Sequence, residues 1–376
     1  MDILIIGNGF DLAHGLKTSY KDFLNFCKNI DNIDHDVNLC FKKCCQNNFW
    51  MKHFITRQNE LGNTWIDLEK EIYSVIKNLS ITSLFPEKDG NRGSFRITIQ
   101  NSLLEFDLYN IKDYVKKTPR EYPNGAYEIV SANDSFFSDF YFSDNKGFIR
   151  LLYEQLREFT KVFERYLNEE ILSKLNNNSE YRLALKAAGV EEGSNDVYVL
   201  SFNYTDTCER LYKEKFNSYC CIDEIKSIYV HGKVNDANNC KLVLGTHSFE
   251  NIDKGITVIN IPIEFNAFKK HNQRHKYGTI EPYQDLIREI KYQEDQHENH
   301  PIFHIIGHSL DETDHNILKH ILLANPNSII NVYYHDEEAQ ERLINNITNI
   351  IGEEEVMSKV RLIHQHNDER SILKRK

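Results

Sequence analysis

The sequence predicts an α/β fold: a Rossmann-like parallel sheet that carries a large, mostly helical insertion. Three observations predict it. The chain opens on Asp2-Ile3-Leu4-Ile5-Ile6, which runs straight into Gly7-Asn8-Gly9-Phe10-Asp11. Four consecutive branched or long apolar residues suit a strand covered on both faces. From about Asp196 onward, short apolar runs alternate with helical patterns, as in a sheet with crossover helices. The opening strand has no partner nearby in sequence, so it is expected to join the C-terminal strands. The stretch in between then becomes an insertion or cap.

Each element follows from its pattern. Gly7 and Gly9 permit a tight turn and a close approach of backbone N–H groups to a phosphate. From Thr18 or Ser19 a helix is expected, with Tyr20, Phe23, Leu24 and Cys27 on one side. Trp65, Leu68, Glu69, Ile72 and Ile76 recur at helical spacing, and Phe148 to Leu172 reads as a long amphipathic helix. Leu79 to Arg96 and Thr118 to Asn145 carry Pro, Gly, Asn, Asp and Ser and read as loops. Strands are expected at Val197–Phe202, Ser227–Val230, Lys241–Leu244, Ile302–Ile306, Ile329–Tyr334 and near Val360–Ile363. Helices are expected at Asp206–Phe216, Asp314–Leu323 and Glu337–Ile350. The domain boundaries expected are residues 1–30 with 193–376 for the α/β domain, and 31–192 for the helical insertion.

With 376 residues and 40% hydrophobic content, the chain can hold two domains or one domain with a large insertion. The 45 basic and 56 acidic side chains leave a net charge of −11, so no global basic field draws the chain to nucleic acid or to an anionic membrane. No apolar run approaches the length of a membrane-spanning helix. The N-terminus lacks the pattern of a signal peptide, and a cytoplasmic protein is expected.

The eight cysteines form no Cys-x-x-Cys, which argues against a zinc ribbon. Cys40, Cys44 and Cys45 with His35 stand open as a metal cluster; buried free thiols are the ordinary alternative. His297-Glu298-Asn299-His300 is not the His-Glu-x-x-His zinc pattern. His304 and His308 fall across a strand end rather than along one helix face. No metal is expected. The basic cluster Lys269-Lys270-His271 with Arg274-His275-Lys276 reads as a solvated loop, with a phosphate or a nucleic acid backbone as alternatives.

Ligands of parallel sheets sit at the carboxyl ends of the strands. Four strand ends here carry polar or glycine clusters: Gly7-Asn8-Gly9-Phe10-Asp11, Asn203-Tyr204-Thr205-Asp206, His231-Gly232-Lys233 and Gly307-His308-Ser309-Leu310. Each has a plain structural alternative. His231 and Asn203 suit a strand-end turn. Asn8 and Asp11 could cap the loop. Ser309 could start a helix with Asp311 and Asp314. Asp67 and Glu69 would by default sit on a solvated helix face.

This set resembles the sirtuin superfamily, especially the sirtuin-like NAD-consuming domains of bacterial defence proteins. Those have a glycine loop after the first strand, a Thr-x-Asn-x-Asp strand end, a later His-Gly and a Gly-x-Ser loop near the end. The whole chain is similar to the AbiH family of phage abortive-infection proteins. The segments carrying that likeness are Gly7 to Leu16 with Thr18-Ser19-Tyr20 and Phe23-Leu24, Trp65-x-Asp67-Leu68-Glu69, Phe202 to Asp206, Tyr229 to Gly232, and Gly307 to Leu310. Two departures stand out: no paired Cys-x-x-Cys zinc module is present, and Asp206 follows Asn203 by three positions.

The resemblance implies an abortive-infection effector with a sirtuin-like core that binds NAD and, as an NAD glycohydrolase, cleaves its nicotinamide–ribose bond. It implies Asn203 and His231 as catalytic residues, with His231 as general base. Gly7, Asn8, Gly9, Phe10, Asp11, Tyr204, Asp206, Gly232, Gly307, His308 and Ser309 would then bind the dinucleotide. A homo-oligomer and a phage-derived trigger are open as partners. Two other function classes remain: a nucleotide sensor or scaffold without turnover, and a metal-dependent nuclease toxin using Asp11, Asp206 or Asp314.

Overall fold

The computed structural model describes residues 1–30, 41, 48–61, 67–81, 127–128, 141–142, 145–175, 181–193, 197–220, 226–234, 240–247, 263–295, 300–365 and 368–375. The chain divides into two compact units. The first comprises Met1–Ser19, Glu164–Val243 and Arg274–Lys376; the second comprises Tyr20–Phe163 and Leu244–Gln273.

The first unit is built on a six-stranded, wholly parallel sheet. Its strands in chain order are β1 (Asp2–Ile6), β2 (Val197–Ser201), β3 (Lys226–Tyr229), β4 (Ile302–Ile306), β5 (Ile329–Tyr334) and β6 (Val360–His364). In space they run 3-2-1-4-5-6, the strand order of a Rossmann sheet, in which the order of the strands reverses between β1 and β4. The opening strand thus pairs with β2 on one side and β4 on the other.

Both faces of the sheet are covered, which explains the unbroken apolar runs. Ile3 and Ile5 pack with Leu200, Phe303, Ile305 and Leu286 on one face. Leu4 and Ile6 pack with Val199, Phe216, Tyr212 and Leu183 on the other. Helices Thr207–Cys220, Ile280–Asp295, His315–Leu322 and Glu337–Ile351 belong to this unit. A short antiparallel pair, Tyr181–Leu183 with Leu373–Arg375, adds to it.

The register sets the edge that matters. Ile6 pairs with Ser201 and with Ile306, and Ser201 pairs with Tyr229. Strands β1 to β4 therefore end level. The hydrogen-bond ladder runs one step further, with the N–H groups of Phe202, Val230 and Gly7 donating to Ile6, Ser201 and Ile306. Gly7, Phe202, Val230 and Gly307 are thereby brought to one edge.

The second unit is helical, with Tyr20–Lys28, Phe49–Leu61, Leu68–Ile81 and most of Asn145–Tyr166. Its core is aromatic: Phe159 packs edge-on to Phe23 and Phe54, and Trp50 packs on Phe54 and Phe268. The Trp50 indole N–H is satisfied by the Leu152 carbonyl at 2.8 Å, as a buried indole requires. Asp67 caps the helix that starts at Leu68, its Oδ1 accepting from the N–H groups of Glu69 and Lys70 at 3.0 and 3.1 Å. Glu69 pairs with Lys270 at 2.6 Å.

Several local expectations need correction. Lys241–Leu244 forms no strand; Leu242 and Val243 are buried in irregular backbone. The expected loop Thr118–Asn145 contains a two-stranded ladder, Tyr127–Glu128 with Tyr141–Phe142. Leu79–Ile81 end a helix, and the rest of the Leu79–Arg96 loop lies outside the described residues. So do Trp65, His35, Cys40, Cys44 and Cys45. The helix expected from Phe148 runs Asn145–Tyr166 and closes in a wider turn at Leu167–Ile171 and a tighter one at Leu172–Lys174. The basic cluster is not a loop: beyond Lys269 it lies on the helix Lys270–Tyr277, with Lys270 and Arg274 buried and His271, His275 and Lys276 exposed. Among the described residues no helix is long and apolar enough to cross a membrane.

Candidate functional site

At the β1/β4 reversal two glycine turns interlock. The Gly9 N–H donates to the Gly307 carbonyl at 2.8 Å. A Cβ on Gly7 would lie 2.5 Å from His308 Cα, and one on Gly9 would lie 2.8 Å from Gly307 Cα. Gly307 has φ +62, and a Cβ there would meet the Phe10 nitrogen at 2.2 Å. Close backbone approach thus requires all three glycines. Gly7 itself has φ −115 and precedes a short helix, Asn8–Ala13, rather than an isolated turn. The N–H groups of Gly7, Gly9 and Phe10 are committed to Ile306, Gly307 and Gly7 carbonyls. Asn8 is exposed, and its Oδ1 accepts from the Thr18 hydroxyl at 2.6 Å. Phe10 belongs to the core, tilted against His14.

One helical turn past Gly7, Asp11 is fully enclosed, with 1% of its surface exposed. The Thr205 hydroxyl donates to its Oδ2. Burial pushes the carboxyl up to about 7, against the opposing pull of Thr205, Thr207 and Asn203 and with a small push from Asp206. Asp11 Oδ1 and Asn203 Oδ1 are buried and have no hydrogen-bond partner among the described residues. Buried polar atoms of this kind are rare and costly. Asp206 itself faces Arg210 in an ion pair at the start of helix Thr207–Cys220.

Beyond β3, His231 is buried between charged partners. Its Nε2 lies 3.1 Å from Asp314 Oδ1, and its Nδ1 lies 3.4 Å from Arg274 Nη2. Arg274 Nη2 also donates to Asp314 Oδ1 at 3.2 Å. Gly232 follows at φ +80, and a Cβ there would strike the Lys241 carbonyl oxygen at 2.5 Å. The His231 carbonyl accepts from the Val243 N–H at 2.8 Å, and the Tyr204 hydroxyl donates to the Val243 carbonyl at 2.9 Å.

Phe202 bridges these groups. Its ring packs edge-on to His308 at 4.4 Å and to His231 at 5.6 Å between centroids. His308 Nδ1 accepts from the Leu310 N–H at 2.9 Å. Leu310 is left-handed, with φ 58, a conformation that costs a non-glycine residue about 1–2 kcal/mol. Ser309 is exposed, and its carbonyl accepts from the Asn346 amide; the helix beyond starts at His315, after a tight turn at Glu312–Asp314.

The candidate residues therefore fall into three linked groups: the glycine contact, the Asp11–Asn203 group and the His231 group. Sequence reasoning missed Arg274 and Asp314 as partners of His231, and Thr207 beside Asp11. Arg274 sat in a run of basic residues that looked solvated, and only the fold brings Asp314 to His231. His304 is a satisfied sheet histidine, bonded to Asp2 at 3.1 Å and Tyr333 at 3.0 Å. Among the described residues no group of three or more His, Cys, Asp or Glu is arranged to hold a metal. Cys27, Cys208, Cys220 and Cys240 are buried.

A comparison with curated proteins found no match. The profile described as bacteriophage abortive infection AbiH matches residues 3–335. That span covers β1 to β5 and all three groups of the site, and membership implies a role in phage abortive infection. The chain belongs to the bacteriophage abortive infection AbiH family.

Proposed function

We propose that the chain binds NAD at the carboxyl ends of β1 to β4 and hydrolyses its nicotinamide–ribose bond, depleting NAD in the cytoplasm of an infected cell. One observation carries the reading. The level register of β1, β2 and β3 gathers Asp11, Asn203 and His231 at one edge of a sheet with Rossmann strand order. A dinucleotide of that kind seats at such a reversal point.

The chemistry asks little of the protein. Nicotinamide leaves as a neutral amide from a cationic ring, so no strong acid is needed. The C–N bond breaks with its electron pair going to nicotinamide, the ribose gains oxocarbenium character, and water adds to the anomeric carbon. His231 takes the proton of that water. The unpartnered Oδ1 atoms of Asp11 and Asn203 suit the hydroxyl donors of a ribose and the attacking water. The N–H groups committed within the glycine contact are left out of this scheme; Gly7, Gly9 and Gly307 shape the floor.

The test is nicotinamide release from NAD by the purified chain, followed by chromatography. Asn203→Ala and His231→Ala are expected to abolish it while leaving the far-ultraviolet spectrum unchanged. Release that survives both substitutions, or no release by the parent under any activating condition tried, would count against the enzyme. A second reading, nucleotide binding without turnover, is favoured by the engagement of both ring nitrogens of His231. Saturable NAD or ADP-ribose binding with no product selects it.

A further inference from the structure

The partners of His231 fix its protonation pattern. A carboxylate only accepts, so Nε2, 3.1 Å from Asp314 Oδ1, carries a hydrogen. A guanidinium only donates and stays charged, so Nδ1, 3.4 Å from Arg274 Nη2, holds the lone pair. The ring is then neutral, in the Nε2–H tautomer, with its accepting nitrogen turned toward a cation. Arg274 also bonds Asp314 at 3.2 Å, which closes a buried cycle of three side chains exposed by only 4%, 6% and 9% for His231, Arg274 and Asp314.

We propose that Arg274 is a mask on His231: its guanidinium occupies the one lone pair through which the imidazole could take a proton, and the site is competent only when Arg274 swings away. Asp314 keeps the ring oriented in both states, because the Nε2–H bond does not depend on Arg274. The guanidinium sits on a long side chain, whose rotation is the movement this proposal requires to uncover Nδ1. The mask rests on the reading of His231 as the base. It turns a toxic activity off by default, without a separate inhibitor.

The experiment uses full-length protein labelled with ¹⁵N-histidine, with the His231 signals assigned by their loss in His231→Gln, together with nicotinamide release from NAD. The parent is expected to show the neutral Nε2–H tautomer with a hydrogen-bonded Nδ1. Arg274→Met is expected to move the Nδ1 resonance to that of a free acceptor. It is also expected to raise nicotinamide release at least about tenfold, part of the roughly 10²–10⁴-fold that a positioned base contributes.

A freed Nδ1 with no release from either protein would keep the mask and sink the hydrolase reading. A proton on Nδ1 in the parent overturns the mask. So does an Nδ1 resonance unmoved by Arg274→Met, or release that falls in that variant. Where Arg274→Met does not fold, the parent's own Nδ1 signal decides.

Discussion

The Gly9 N–H donates to the Gly307 carbonyl at 2.8 Å, and a side chain on either residue would strike the backbone of the other. The two turns are 298 positions apart in no helix or strand together; they meet because β1 and β4 are neighbours ending in register. Gly307→Ala combines a collision with the Phe10 nitrogen and a left-handed φ. Overpacking costs about 1–3 kcal/mol and the left-handed backbone about 1–2 more, so a loss of roughly 2–5 kcal/mol is expected in urea unfolding. Gly15→Ala is the control. It has a left-handed φ of +76 but nothing within 4 Å, so only the backbone cost of about 1–2 kcal/mol applies. Equal losses in the two variants would contradict the interlock.

Asp11 makes stability depend on pH with a definite sign. Its carboxyl titrates near 7 in the fold, against 3.8 when free. Between those values the native state holds a proton that the unfolded chain has released, so stability falls as pH rises through the window and levels off above it. Asp11→Asn carries no such charge. Its stability relative to the parent should therefore improve from pH 4 to pH 8, by up to about 4 kcal/mol. Thermal melts of both proteins across that range test this. A constant difference would mean that Asp11 is ionised throughout.

The strands of the sheet were legible because burial on both faces leaves continuous apolar runs, as in Ile3–Ile6 and Ile302–Ile306. Lys241–Leu244 carries a similar run yet forms no strand. Such a run reports burial, and the hydrogen-bond partners are a separate matter. The strand-end residues Gly7, Asn203, His231 and Gly307 were legible because parallel strands that end level bring their next residues to one edge. Arg274 was not. A buried arginine looks like a solvated one until its carboxylate is found, and Asp314 comes from a turn beyond another strand. The left-handed Leu310 has no sequence signal at all, since leucine gives no hint of positive φ.

Under the proposed hydrolysis Asp314 acts on the chemistry only through His231, which makes it a positioning residue in that reading. Asp314→Asn removes the charge that holds the Nε2–H tautomer. In a protein releasing nicotinamide, kcat should fall at least about tenfold, because a misaligned base loses part of its roughly 10²–10⁴-fold contribution. KM should stay unchanged, because no ligand contact is assigned to this carboxylate. Asp314→Glu should recover part of kcat. A rise in KM with kcat intact would instead make Asp314 a binding residue.

Lys270 and Glu69 form a buried ion pair at 2.6 Å, with side chains exposed by only 2% and 11%. Two charges withdrawn from water stabilise each other, so removing one takes a close counter-charge from the other. Lys270→Met is expected to cost about 3–5 kcal/mol in urea unfolding, because the buried Glu69 carboxylate loses the Lys270 ammonium. Glu69→Gln takes the carboxylate from the ammonium in the same way. The double variant should recover most of the loss, because an apolar side chain and a neutral amide need no counter-charge in that space. Independent contributions would instead make the two single losses add in the double variant. Additivity within experimental error would show that the pair is not coupled.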